Sequence, residues 1–194
     1  MSYTDRLAEA FAFADLLHRR QRRKGSDVPY ITHLMSVAAL VGEYGGSEDQ
    51  VIAALLHDAV EDQGGPDTLA QIRVRFGEGV AHYVEAASDA LDEPRPPWLQ
   101  RKQVFLAGLR EAPCDAKLIV AADKLHNVRT LIRDYYQVAE GLWDRFTGKR
   151  EGTLWYYREA LMALSQGWEH PILRELREAV ETLEELAGNP ATGR

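Results

Sequence analysis

Apolar residues recur at intervals of three and four along almost the whole chain, and no segment sustains the alternation of a half-buried strand. Leu7, Phe11, Ala14 and Leu17 make a first helical stripe, which runs into the basic stretch Arg19-Arg20-Gln21-Arg22-Arg23-Lys24. Residues 25–29 read as a loop, and a second helix is expected over 33–44, stopped by Gly45-Gly46. Ser47 and Gln50 form a capping-box pair that would start a helix over 48–60. Gly64-Gly65-Pro66 breaks it, Asp67 can cap a helix ending near Phe76-Gly77, and a further helix is expected over 79–90. Three prolines among residues 94–97 require a loop. Helices resume over 98–110, 115–136, 153–164 and 171–186; Pro171 near the start and Gly188 past the end of the last follow the usual asymmetry. The pattern predicts an all-α, single-domain helical bundle over residues 1–188, with a disordered tail at 189–194.

Composition narrows the picture. At 194 residues, 45% hydrophobic and 27% charged, the chain is long enough for one substantial core. A net charge of −7 argues against general nucleic-acid binding, which draws on clustered positive charge. No run approaches the roughly 20 apolar residues needed to span a bilayer, and the N-terminus lacks the basic and apolar regions of a signal peptide. Cys114 is the only cysteine, so no intrachain disulfide can form, which suits a reducing, cytoplasmic setting. Oligomeric state is not readable: the amphipathic helix over 171–186 suits either a dimer interface or closure of the bundle.

Three segments carry candidate chemistry. In Ala53-Ala54-Leu55-Leu56-His57-Asp58-Ala59-Val60-Glu61-Asp62 an apolar run leads straight into a histidine and three acids. On a continuous helix Asp58 and Asp62, like His57 and Glu61, would share a face. Buried carboxylates beside one histidine would repel and lose hydration, costs that a divalent cation removes; a solvated helix end is the plain alternative. In Leu118–Leu131 five apolar residues precede Asp123, which should therefore point inward and need a metal or an arginine as partner. His33 follows the loop entry Val28-Pro29-Tyr30-Ile31-Thr32, a position that suits a rigid ligand or a mere packing residue. Together, two imidazoles and two carboxylates suit a first-row divalent ion such as manganese, iron or zinc. Glu61 and Asp62 are then the groups placed to orient or deprotonate water.

At these positions the chain resembles the HD-domain metal phosphohydrolases, whose pattern is a histidine, a later His-Asp pair and a final aspartate, here His33, His57-Asp58 and Asp123. The flanks Gln21–Gly25, Pro29–His33, Ala54–Asp62, Phe76-Gly77 and Ala122–Asn127 look like the hydrolase domain of the RelA/SpoT alarmone enzymes, in particular their small hydrolase-only forms. The similarity covers residues 5–135, leaving 136–188 as a helical extension. The resemblance implies hydrolysis of the 3′-pyrophosphate of (p)ppGpp, usually with Mn²⁺. It also implies His33, His57, Asp58 and Asp123 as ligands, Glu61 and Asp62 handling water, Arg23 and Lys24 holding phosphate, and Asn127 touching the nucleotide. For Arg19, Arg20 and Arg22 two readings stay open, a share in holding phosphate charge or a solvated basic helix end.

The chain departs from the family pattern at Gly25-Ser26-Asp27-Val28 and at Ala87-Ser88-Asp89. Beyond residue 136 the reading falls back on residue type: Tyr156 or Trp155 to stack on a base, with Trp98, Arg101 and Lys102 on an opposite wall. Two alternatives stay open, an HD phosphohydrolase acting on another nucleotide such as (p)ppApp or a nucleoside monophosphate, and a regulatory module that binds a nucleotide without turnover.

Overall fold

The computed structural model describes residues 3–89 and 96–188. These residues form α1 (Asp5–His18), α2 (Ile31–Glu43), α3 (Glu48–Leu56), α4 (Ala59–Asp62), α5 (Gly65–Phe76), α6 (Glu78–Ala87), α7 (Trp98–Glu111), α8 (Cys114–Val138), a 3₁₀ segment (Ala139–Arg145), α9 (Lys149–Ser165) and α10 (Pro171–Gly188). No strand occurs among them; Arg22 and Pro29 make one isolated antiparallel bridge across the first loop. The fold is all-α, as the periodicity predicts. The expected tail at 189–194 and most of the proline-rich loop lie outside the described residues, as does the expected end of α6 at Ala90.

Helix α8 is the axis. Its apolar residues from Leu118 to Leu131 are buried almost without interruption, and α2, α3, α6, α9 and α10 all pack on it. A buried lysine on this helix ties its neighbours together: Lys117 Nζ donates to the carbonyl oxygens of Arg110 and Gln166, at the C-terminal ends of α7 and α9. Cations are favoured at these carbonyl-rich ends. The contact holds α7 and α9 side by side as one wall of the cavity described below.

The structure departs from the sequence expectation at four places. Helix α1 buries Ala10, Phe13 and Ala14, whereas Phe11 is 42% exposed at the edge of an apolar groove between α1 and α2. The buried face is rotated from the expected stripe, because α1 meets α3 and α4 as well as α2. The Ser47–Gln50 capping box forms as expected, but the helix it starts ends at Leu56; His57 and Asp58 occupy a turn before α4. Asp67 does not cap α5, because that helix already begins at Gly65 with Pro66 in its first turn, where the missing N–H costs nothing. Finally, a 3₁₀ segment that the periodicity does not predict joins α8 to α9, and α9 starts at Lys149 rather than 153. Leu142 and Trp143 are buried there, seating the segment against the core.

Candidate functional site

The turn between α3 and α4 brings His57 and Asp58 to the side of α8. Burial of every residue from Val51 to Leu56 anchors α3 up to that point. His57 Nδ1 lies 2.8 Å from the Ala54 carbonyl oxygen, which can only accept, so Nδ1 carries the proton and Nε2 of the neutral ring is left with its lone pair. Tyr30, at the entry to α2, donates its hydroxyl to Asp58 Oδ2 at 2.6 Å. His33 comes from the first turn of α2, with Nδ1 2.7 Å from Nδ1 of His126. Asp123, in the middle of α8, receives Lys124 Nζ on Oδ2 at 2.6 Å and Asn127 Nδ2 on Oδ1.

Four side chains thus converge. His57 Nε2 lies 3.1 Å from Asp58 Oδ2 and 3.7 Å from Asp123 Oδ1; His33 Nε2 lies 3.6 and 3.3 Å from the same two atoms. Ligand atoms that share one ion at about 2.1 Å sit roughly 3.0–3.4 Å apart, so the spacing matches a set closed around one centre. Both Nε2 atoms are buried and have no hydrogen-bond partner among the described residues, an arrangement that costs free energy unless something else takes the lone pairs. His33, His57 and Asp58 by themselves already have the proximity of a cation site.

The charges point the same way. Burial opposes ionisation of both aspartates, yet His57 and His33 hold Asp58, and Lys124 with the same two imidazoles holds Asp123, well below the usual carboxylate range. Burial also opposes charge on His57, but the two carboxylates raise its pKa well above the ordinary imidazole value. Two carboxylates facing two imidazoles thus favour an added positive charge, whether a proton or a metal ion. Burial, His33 and Arg23 depress His126 to about 4, so its neutral ring can accept the Nδ1–H of His33 and leave His33 Nε2 facing the site.

Beside this cluster opens a cavity of about 450 Å³ that is lined by Asp58 and Asp123. Arg22, Arg23 and Lys24 line one flank; Arg101, Lys102 and Lys124 line the other. Arg23 donates to Asn127 Oδ1 at 2.6 Å, so Asn127 bridges the phosphate-binding candidate and Asp123. Lys24 lies over the Phe146 ring at 5.6 Å. Arg101 pairs with Asp89 at 2.6 Å and Lys102 pairs with the other oxygen of the same carboxylate. Trp98 lines this second flank too, its indole seated where a Cβ on Gly148 would come within 2.7 Å of it.

The two expected water-handling acids are placed differently. Glu61 lines the cavity, and burial together with Asp89 and Asp58 pushes its carboxyl up to about 7, within the range where it can exchange a proton near neutrality. Asp62 is exposed, outside the lining, and accepts Gln21 Nε2 at 2.7 Å. Tyr156 lines the cavity, largely buried, on the same wall as Trp98 and Lys102 rather than opposite them as expected, because α7 and α9 pack side by side. Trp155 packs edge-on against Trp98 and lies outside the lining. Arg22 is exposed and borders the cavity, while Arg19 pairs with Asp15 on α1.

Sequence reasoning misses Tyr30, Lys124, His126 and Asp89 as actors. Tyr30, Lys124 and His126 stand inside the motifs named above, but nothing in the spacing says that a tyrosine would reach Asp58 or that neighbours Asp123 and Lys124 would bond. Asp89 carries a usable signal, an acid at a helix end ahead of Arg101-Lys102, yet the link crosses the proline-rich loop.

The HD domain family matches residues 10–154. The guanosine-3′,5′-bis(diphosphate) 3′-pyrophosphohydrolase MESH1 of Homo sapiens is 40% identical over 130 residues, covering 66% of this chain and 70% of the relative. Its Xenopus tropicalis counterpart is 38% identical over the same coverage. Among solved structures, a metazoan ortholog of SpoT, described as hydrolysing ppGpp and playing a role in starvation responses, superposes with a TM-score of 0.78 at 27% identity, covering 93% of this chain and 97% of the other. A Listeria monocytogenes protein gives 0.70 at 26% identity, over 79% and 99%.

Proposed function

This chain belongs to the HD-domain family, and from that premise we propose that it hydrolyses the 3′-pyrophosphate of (p)ppGpp, releasing pyrophosphate and GDP or GTP. One observation carries the reading: a buried cluster of two imidazoles and two carboxylates opens onto a single cavity with cations on both flanks. Such a cavity suits a substrate with phosphate at more than one point, and relatives sharing 38–40% identity bear the name of that activity.

His33, His57, Asp58 and Asp123 are the residues we assign to hold a divalent ion, with manganese as the metal of choice. When bound, such an ion supplies an acidified water near neutral pH and screens phosphate charge. The protein's own part is positional and protonic. Tyr30 and Lys124 lock the two carboxylates, and the Nδ1 contacts of His57 and His33 lock the imidazoles. Glu61, with its carboxyl near neutrality, takes the proton of the attacking water, and Asp62 supports it from the rim on its tether to Gln21. Arg23 and Lys24 hold phosphate oxygens, and Asn127 keeps Arg23 in register with Asp123 while bordering the nucleotide. Tyr156 contacts substrate from the opposite wall. Water's oxygen ends on phosphorus, the bond from phosphorus to the 3′ oxygen breaks, and that oxygen gains a proton. One domain over 1–188, made of a family-like core over 5–135 and the extension 136–188, and a cytoplasmic setting belong to the same proposal; no helix among the described residues is long and apolar enough to cross a membrane.

The test is a manganese-supplemented assay on ppGpp, ppApp and a nucleoside monophosphate, with pyrophosphate and phosphate followed separately. Pyrophosphate release from ppGpp is expected. Preference for ppApp, or phosphate release from the monophosphate alone, would move the substrate to another nucleotide. Nucleotide binding without any turnover would reduce the protein to a binding module.

A further inference from the structure

We propose that Tyr156 contacts the substrate through its hydroxyl, as a hydrogen-bond donor to phosphoryl oxygen, and not by stacking its ring on a base. The inference rests on the phosphohydrolase reading for the identity of the substrate, but its geometry stands separately. Tyr156 lies in the middle of α9, is only 7% exposed, and lines the cavity. Its ring is already engaged: Lys102 Nζ lies 4.8 Å and Lys124 Nζ 5.4 Å from the ring centroid, and Trp98 meets it edge-on at 6.5 Å. Cation–π contacts of this kind use the electron-rich face on which a base would have to lie.

The hydroxyl, by contrast, is buried without a hydrogen-bond partner among the described residues. A buried O–H left in this state is uncommon and calls for a reason. The two ammonium groups over its ring are donors only and cannot accept its proton. Asp123 is engaged by Lys124, and Asp89 by Lys102 and Arg101. Two ammonium groups, each with N–H donors beyond its one carboxylate contact, and one hydroxyl without a partner therefore gather at one end of the cavity. A phosphoryl group, with several anionic oxygens and no hydrogen to donate, is the chemistry that completes the set.

Tyr156→Phe isolates the hydroxyl because the ring that seats both lysines is kept. In the full-length protein, kcat for ppGpp is expected to fall about tenfold or more with a smaller change in KM. The rise in Tm produced by inorganic pyrophosphate should shrink, while the Tm of the ligand-free protein should stay the same or increase, since an unpaired buried hydroxyl has been removed. Wild-type kcat together with an undiminished pyrophosphate shift in the variant would overturn the proposal. So would a fall of several degrees in ligand-free Tm, which would reveal a structural partner, or a wild-type protein on which pyrophosphate has no effect. If the wild type leaves ppGpp intact but the variant still loses the pyrophosphate shift, the substrate reading fails and the role of Tyr156 stands.

Discussion

On one flank of the cavity Arg101, Lys102 and Lys124 are each bonded to a carboxylate inside the protein, whereas on the other Arg23 is held by the neutral Asn127 and Lys24 by the face of Phe146. The first set is largely buried, with side-chain exposures of 14%, 17% and 11%. Buried cations must be paired or hydrogen-bonded to be tolerated, so their carboxylates are part of the fold. The second set emerges from a surface loop, where water bears the cost of the charge and no internal acid is needed. The difference is one of commitment. The paired flank has much of its charge offset within the protein, whereas the loop flank keeps its charge without an internal acid.

Removing what both flanks converge on should have the largest effect. Asp58→Ala takes away a carboxylate shared by both imidazoles, and we expect turnover to drop by about 10³-fold or more with loss of bound metal; metal analysis beside the pyrophosphate assay checks both. Full activity in that variant would dissolve the site. Glu61→Gln should cost roughly 10²-fold in kcat while leaving metal content intact. As a base with its carboxyl near 7, Glu61 is active when ionised, so wild-type kcat/KM should rise as pH increases through about 7 and the variant's profile should lose that rise. Metal loss in Glu61→Gln would instead show that it is a ligand.

Asp89→Asn tests the paired flank. It leaves Arg101 and Lys102 buried without their shared carboxylate and should destabilise the fold by about 3 kcal/mol, read by urea unfolding. Burial opposes ionisation of Asp89, but Lys102 and Arg101 outweigh it and hold the folded-state pKa down. A depressed carboxylate pKa contributes stability above the unfolded value of about 3.9 and loses it as pH falls through the folded value. The gap between wild type and variant should therefore be constant near neutrality and close in acid. Lys24→Ala is the smallest change: a severalfold rise in KM, with stability altered by no more than about 0.5 kcal/mol. A large loss of stability there would erase the contrast between the flanks.

Much of this was legible along the chain. Every long helix announced itself by its apolar period, and the capping box at Ser47 and Gln50 formed atom for atom. The order His33, His57-Asp58, Asp123 pointed to residues that the structure does bring together, because each follows an apolar run or a fixed entry turn that leaves few ways to point. The apolar count could not show the end of α3 at Leu56. On a continuous helix His57 and Glu61 would share a face, but in the fold His57 sits in the turn after α3 and Glu61 in α4.

What the sequence determined by itself is periodic or local: the all-α class, the caps, and the donor types available for a cation. Tertiary structure alone decided which groups restrain those donors. Tyr30 reaches Asp58 across 28 positions, His126 meets His33 across 93, and Asp89 joins Arg101 over the proline-rich loop. Such pairings depend on how helices cross, which the burial of whole faces sets and no short-range pattern encodes. The state of each functional group followed from the same crossing: burial and neighbouring charge, both products of packing, put Glu61 near neutrality and left the Tyr156 hydroxyl without a partner among the described residues.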